Sequence, residues 1–203
     1  MPVTAEGRNP RRAAVARQTF FEIMASFPAG VVIVTTLDAA GGPRGLTTTA
    51  VASVSADPPT VLVCVDLSSR TLAGLRARRR FVVNFMAEGR SHLCLLFASK
   101  AEDKFASVDW RPTGSGLPLL HRDVLAWAEC AIVHDVEIGD HALLVAHVED
   151  GDVQPELEAP LMYYRRSWGV WTPAHDPGEP RPERVAPSIE VGARDLRWQG
   201  AEL

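Results

Sequence analysis

The chain has 203 residues, of which 46% are hydrophobic and 23% charged, a globular composition with length enough for one domain and a true core. A net charge of −4 supplies no basic field for nucleic acid. No apolar run approaches the roughly 18 residues of a membrane span, and the N-terminal arginines have no apolar segment behind them, unlike a secretion signal. Cys64, Cys94 and Cys130 lie apart with no C-x-x-C spacing, which fits a reducing, cytoplasmic setting better than a disulfide framework.

Residues 1–16 carry Arg8, Arg11 and Arg12 with no periodic apolar face and read as a mobile arm. Phe20, Ile23, Met24 and Phe27 recur at the spacing of one helical face, so the pattern predicts a short helix over Arg17–Ser26, lying on the body of the domain and stopped by Pro28. Val31–Leu37 is a β-branched strand, and Asp38–Pro43 a hairpin turn. The next stretch, Arg44–Ser55, reads as one strand with Thr47, Thr48 and Thr49 at its centre. Alternation puts hydroxyls on both of its faces, which suits a wet edge or the wall of a polar cavity. Asp57–Pro58–Pro59 turns the chain into a strand over Val61–Asp66.

Ser68–Thr71 reads as a helix start, with Leu72 and Leu75 apolar and Arg76, Arg78, Arg79 and Arg80 at the helix end, where cations suit the dipole. Phe81–Met86 is a strand interrupted by Asn84, and Ser91–Ser99 a helix. Leu125–Val136 and Ala142–Val148 form a second hairpin around Ile138–His141, and Leu161–Tyr164 is a short strand. From residue 172 onward prolines and balanced charges read as an extended tail; the domain is therefore expected over 17–171. Six or seven strands without βαβ alternation exclude a dinucleotide-binding parallel sheet and favour an antiparallel barrel with peripheral helices.

The familiar catalytic signatures are missing: no G-x-G-x-x-G, no phosphate-binding loop of the NTPases, no G-x-S-x-G and no H-E-x-x-H. The six histidines show no metal-ligand spacing, so no metal site is expected. What remains is a set of hydroxyls, glycines and cations. Ser68, Ser69 and Thr71 stand at a helix start, where unpaired N–H groups favour a phosphate, and Arg70 and Lys104 add charge. Such a set suits a phosphorylated planar ligand rather than a covalent nucleophile.

The order Phe27-Pro-Ala-Gly-Val31, Val34-Thr-Thr36, Gly45-Leu-Thr47, Ser53, Ser55, Asp57-Pro-Pro59, Ser69-Arg-Thr71-Leu72, Phe81, Asn84, Phe97-Ala-Ser-Lys100, Asp103-Lys-Phe105, Trp110 and Gly139-Asp-His141 resembles the short-chain flavin reductases, the reductase components of two-component flavin-dependent monooxygenases. The resemblance is collinear from about Phe20 to Trp168. It implies a mainly β, Greek-key split barrel of the FMN-binding type, usually a homodimer, that oxidises NADH or NADPH and releases reduced FMN or FAD to an oxygenase.

Carried over residue by residue, Ala29, Gly30, Val31, Thr47, Thr48 and Thr49 would meet the isoalloxazine and ribityl chain, with Ser53 at the same wall. Phe81 is carried over as a further cofactor contact. Ser69, Arg70 and Thr71 match the stretch near the flavin phosphate, and Lys104 and Phe105 a later flavin-contacting pair. Gly139, Asp140 and His141 match the turn associated with the nicotinamide nucleotide, where His141 is the catalytic candidate, positioning the nicotinamide without acid–base work. Family members commonly place small Ala and Ser after the first threonine; this chain has Thr48–Thr49–Ala50–Val51. Two other readings stay open at this point: a barrel that binds flavin without turnover, and an enzyme that keeps its flavin to reduce its own substrate.

Overall fold

A computed structural model describes residues 14–154 and 159–172. The tail from residue 173 and the arm up to residue 13 lie outside the described residues. The elements in order are α1 (Arg17–Ala25), β1 (Ala29–Gly30), β2 (Val32–Leu37), β3 (Pro43–Thr48), β4 (Val51–Ala56), β5 (Pro59–Asp66), α2 (Arg70–Arg78), β6 (Arg80–Met86), α3 (Ser91–Ala98), β7 (Arg111–Pro112), β8 (Pro118–Leu119), β9 (Val124–Ile138), β10 (His141–Val153), β11 (Leu161–Tyr164) and β12 (Ser167–Val170). Seven strands make one antiparallel sheet in the order β3-β2-β6-β9-β10-β5-β4. A small sheet, β1-β11-β12, and the β7–β8 pair flank it.

The threonine stretch is not one strand. It breaks at Thr49–Ala50 into β3 and β4, which occupy opposite edges of the large sheet. The local cause is Thr48, whose hydroxyl accepts the Ala50 amide at 3.0 Å and so replaces a ladder bond with a side-chain turn. The Ala50 carbonyl then accepts Cys64 N of β5 at 3.0 Å. Chain continuity thus brings the two edges together, while no ladder joins β3 to β4 among the described residues. The result is an antiparallel barrel split at that seam.

Strands β2 and β6 are interior strands of the sheet and are buried on both faces, which explains their unbroken apolar runs. Val32, Val34, Phe81 and Val83 face the inner core with Val63, Val65, Leu144 and the α2 residues Leu72 and Leu75. Val31, Ile33, Val82 and Met86 face an outer core built with Leu93, Cys94 and Phe97 of α3 and with Leu119 and Leu120. The apolar face expected of α1 does not settle into either core. The helix has no buried residue, and Ile23 and Phe27 are 56% and 67% exposed.

Asn84, the polar interruption in β6, is fully buried and ties three segments together. Its Nδ2 donates to Ile33 O at 2.9 Å and Thr35 Oγ1 at 3.0 Å, and its Oδ1 accepts Leu120 N at 2.9 Å. Thr35 in turn donates to Pro118 O. Asn84→Ala strands a buried amide and opens a cavity, so it is expected to cost about 3 kcal/mol. Urea unfolding measures this; a loss under about 1 kcal/mol would show that the network is dispensable.

Candidate functional site

The seam where β3 passes to β4 opens into a cleft of about 780 Å³. Thr47–Ala50 form one wall, Cys64–Asp66 of β5 and the turn residues Asp140 and His141 another, the start of α2 a third, and the segment after α3 a fourth. Phe20 and Met24 of α1 lie at its mouth. Of the carried-over residues the fold gathers ten here: Thr47, Thr48, Thr49, Ser69, Arg70, Thr71, Lys104, Phe105, Asp140 and His141. These ten come from four sequence-distant segments that meet at one place.

The three threonines differ in what they have left to offer. Thr47 is buried and donates to Cys94 O at 2.7 Å, and Thr48 already serves the Ala50 turn. Thr49 is half-buried and lines the cleft. Ser69 is the N-cap of α2, accepting Thr71 N at 3.3 Å. Thr71 donates to Gly45 O at 3.1 Å, so its hydroxyl holds α2 against β3.

Arg70 and Lys104 are satisfied by backbone alone. One Arg70 nitrogen donates to Lys100 O at 2.7 Å and Ala101 O at 2.8 Å. Lys104 Nζ donates to Phe97 O at 2.6 Å and Gly45 O at 3.3 Å. No carboxylate pairs with either among the described residues. Burial, and then the nearby Arg70 charge, holds the Lys104 ammonium at about 8. Two mutually repelling cations in the lining, neither paired with a carboxylate among the described residues, leave positive charge at this part of the cleft.

At the other wall His141 is only 17% exposed at its side chain, while Asp140 is 76% exposed. Their Nδ1 and Oδ1 atoms lie 2.7 Å apart. An ionised carboxylate only accepts, so Nδ1 donates, and a neutral ring then keeps Nε2 as an acceptor. The hydrogen bond from His141 holds the Asp140 carboxyl below its ordinary value.

The remaining carried-over residues stand elsewhere. Phe81 is fully buried in the inner core and is a packing residue, not a wall of the cleft; alternation along β6 turns it inward. Ser53 is exposed on β4 outside the cleft, because the break at Thr49–Ala50 carries β4 to the far sheet edge. Ala29 and Gly30 pair with Tyr163 and Met162 of β11, and Val31 is buried in the outer core. Gly139 takes φ +62° at the hairpin apex, a left-handed conformation that glycine adopts without strain. Sequence reasoning passed over Phe20, Met24, Arg44 and Cys64 as cleft residues. The apolar face of α1 was the available signal for the first two. Nothing local marked Cys64 or Arg44.

The cleft thus brings together Ser69, Arg70 and Lys104, the Thr47–Thr49 wall and His141. Residues 24–172 match the model of the flavin reductase like domain family. The chain is 41% identical over 160 residues to a flavin reductase (NADH) of Kitasatospora aureofaciens, covering 78% of this chain and 84% of that one. It is 37% identical over 152 residues to a flavin reductase (NADPH) of Lentzea aerocolonigenes, covering 74% and 88%. Among solved structures, the nitrilotriacetate monooxygenase component B of Mycobacterium thermoresistibile superposes with a TM-score of 0.75 at 33% identity, over 82% of this chain and 93% of that one. The Streptomyces globisporus NADH:FAD oxidoreductase, solved with NAD and FAD fragments, gives 0.73 at 31% identity, over 79% and 95%. The chain, a split antiparallel barrel with a cleft at its seam and matched over most of its length by these proteins, belongs to the flavin reductase like domain family.

Proposed function

We propose that the chain is an NAD(P)H-dependent flavin reductase that passes reduced FMN or FAD to a separate monooxygenase. The observation that carries this reading is the cleft itself, whose lining joins Arg70 and Lys104, neither paired with a carboxylate among the described residues, to the Thr47–Thr49 wall and the Asp140–His141 turn. When both nucleotides are bound, hydride passes from the nicotinamide to the flavin, and the cofactors make and break the bonds. The protein's task is to hold two flat rings together in a dry cleft. Arg70 and Lys104, with the N-cap of α2, hold the flavin phosphate. Thr49 offers its hydroxyl to the ring or ribityl chain, and backbone donors along β3 and β4 favour negative charge on the reduced ring. His141 sets the nicotinamide in place.

The unpaired thiols support a reducing compartment, the cytoplasm. A homodimer accounts for the exposed apolar side chains of α1 together with Trp168, Val170 and Trp171, which a second copy would cover. Sedimentation equilibrium is expected to give twice the 22.1 kDa chain mass; a monomer at micromolar concentration removes this part.

Steady-state assays with NADH and NADPH against FMN and FAD test the reading directly. Added flavin is expected to accelerate nucleotide oxidation severalfold or more. If no flavin does so with either nucleotide, the chain is not a reductase, and a non-catalytic flavin carrier takes its place. Flavin that stays with the protein through gel filtration would instead mark an enzyme reducing a substrate of its own.

The phosphate contacts give a second test. Arg70→Ala is expected to weaken FMN binding about tenfold or more, the worth of a charged hydrogen bond, and to leave riboflavin affinity nearly unchanged. The pH dependence follows from Lys104, which is charged below about 8 and neutral above it. FMN affinity should therefore fall as pH rises through that value, while riboflavin affinity stays level. Parallel losses for both flavins would place the phosphate elsewhere.

A further inference from the structure

After α3 the chain passes from Ser99, the helix C-cap, to the buried ring of Phe105 by way of exposed residues 100–103 and Lys104. No strand pairs with this segment among the described residues. Arginines hold it instead. Arg70 Nη2 donates to Lys100 O at 2.7 Å and to Ala101 O at 2.8 Å, and Arg44 Nη1 reaches Glu102 O at 3.3 Å. Three successive carbonyls therefore rest on guanidinium groups, while Lys100, Ala101 and Glu102 line the cleft. Resting on the phosphate contact proposed above, we propose that the carbonyls of Lys100 and Ala101 are built-in competitors for that phosphate. An anion that grips Arg70 displaces them and frees the segment, and the segment reseats when the anion leaves.

Competition follows from the donors that Arg70 has. A terminal guanidinium nitrogen bears two hydrogens, and both of those on Nη2 already serve carbonyls. A two-pronged grip on an oxyanion takes one of two forms, Nη2 with Nη1 or Nη2 with Nε. Arg76 shows the second form on Asp135, with Nε to Oδ2 at 2.8 Å and Nη2 to Oδ1 at 3.2 Å. Either form needs the nitrogen that the carbonyls hold. A carbonyl offers a dipole, whereas a phosphate offers full negative charge on oxygens spaced to fit the fork, so the phosphate prevails. Lys104 meets no such conflict. Its ammonium bears three hydrogens, two of which go to Phe97 O and Gly45 O, and the third is left for an anion. Release therefore stops short of Lys104, and Phe105 stays edge-on to Phe97 with ring centroids 5.0 Å apart. Within the freed segment, the Ala101 amide donates to Ser99 Oγ at 3.2 Å. That turn loosens once the two carbonyls beside it lose their partner, which makes the Ala101 amide the reporter.

Amide hydrogen exchange on the full chain tests this, read without ligand, with saturating FMN and with saturating riboflavin. Riboflavin carries the same ring and no phosphate. FMN is expected to speed exchange at Ala101 by about threefold or more, while riboflavin changes it by less than about 1.5-fold. Arg70→Ala is expected to exchange fast at Ala101 without any ligand, and to show no further response when saturated with FMN. Ligands that close a cleft ordinarily slow exchange around it, so faster exchange with FMN alone is a signature that mere packing of the segment would not give. Exchange at Ala101 that FMN leaves unchanged or slows overturns the competition, and so does an equal response to riboflavin. The two readings fail separately. If the amide responds as expected and no nucleotide is oxidised, the reductase reading falls alone; if flavin stimulates nucleotide oxidation and the amide does not respond, the competition falls alone.

Discussion

The crossing from Thr48 to Val51 governs this fold. Two residues join strands at opposite edges of a seven-stranded sheet. Laid flat, those edges would stand about 29 Å apart at the usual strand spacing, yet three peptide steps reach only about 11 Å. The sheet must therefore curl until β3 and β4 meet. No ladder seals them, because the Thr48 hydroxyl takes the Ala50 amide and the Ala50 carbonyl turns to Cys64 of β5. The seam stays open as a cleft, and its position follows from covalent connectivity.

The carbonyl of Gly45 then fixes what surrounds the seam. It accepts both the Thr71 hydroxyl of α2 and the Lys104 ammonium, joining β3 to two segments distant in sequence. The position must be glycine for a second reason: a Cβ there would lie 2.7 Å from the Phe97 ring. Phe97 in turn stacks edge-on against Phe105, with centroids 5.0 Å apart, and its carbonyl takes the second Lys104 bond. A side chain at residue 45 would push α3 outward and shift both carbonyls that orient the ammonium.

Much of this was legible in the sequence. The apolar runs of β2 and β6, the N-cap at Ser69 and the hairpin around Gly139 follow from local chemistry and appear where it puts them. The break in the threonine stretch was hidden because Thr48, Thr49 and Ala50 are all compatible with extended backbone; only the side-chain turn separates the strands. Strand β10 runs on to Val153 through Glu149–Asp152, a sequence that by itself reads as loop. It continues because β9 pairs with it across a register shift, and Gly151 fits where a Cβ would strike Trp127 O at 2.6 Å. Phe81 shows the converse difference. Resemblance alone attaches it to the cofactor set, whereas the alternation of β6 turns it into the core.

The choice of partners for the two cleft cations ties fold to function. A buried or half-buried cation needs acceptors, and a carboxylate would be the most stabilising one available to the free protein. Arg76, on the far side of α2, has that solution in Asp135 and Glu137, and Arg44 has it in Asp38. Arg70 and Lys104 instead lean on carbonyls of Gly45, Phe97, Lys100 and Ala101. Carbonyl dipoles satisfy the donors while leaving the positive charge uncancelled. The free protein bears the cost, visible in the depressed Lys104 ammonium, and that uncancelled charge is the basis of the proposed phosphate contact.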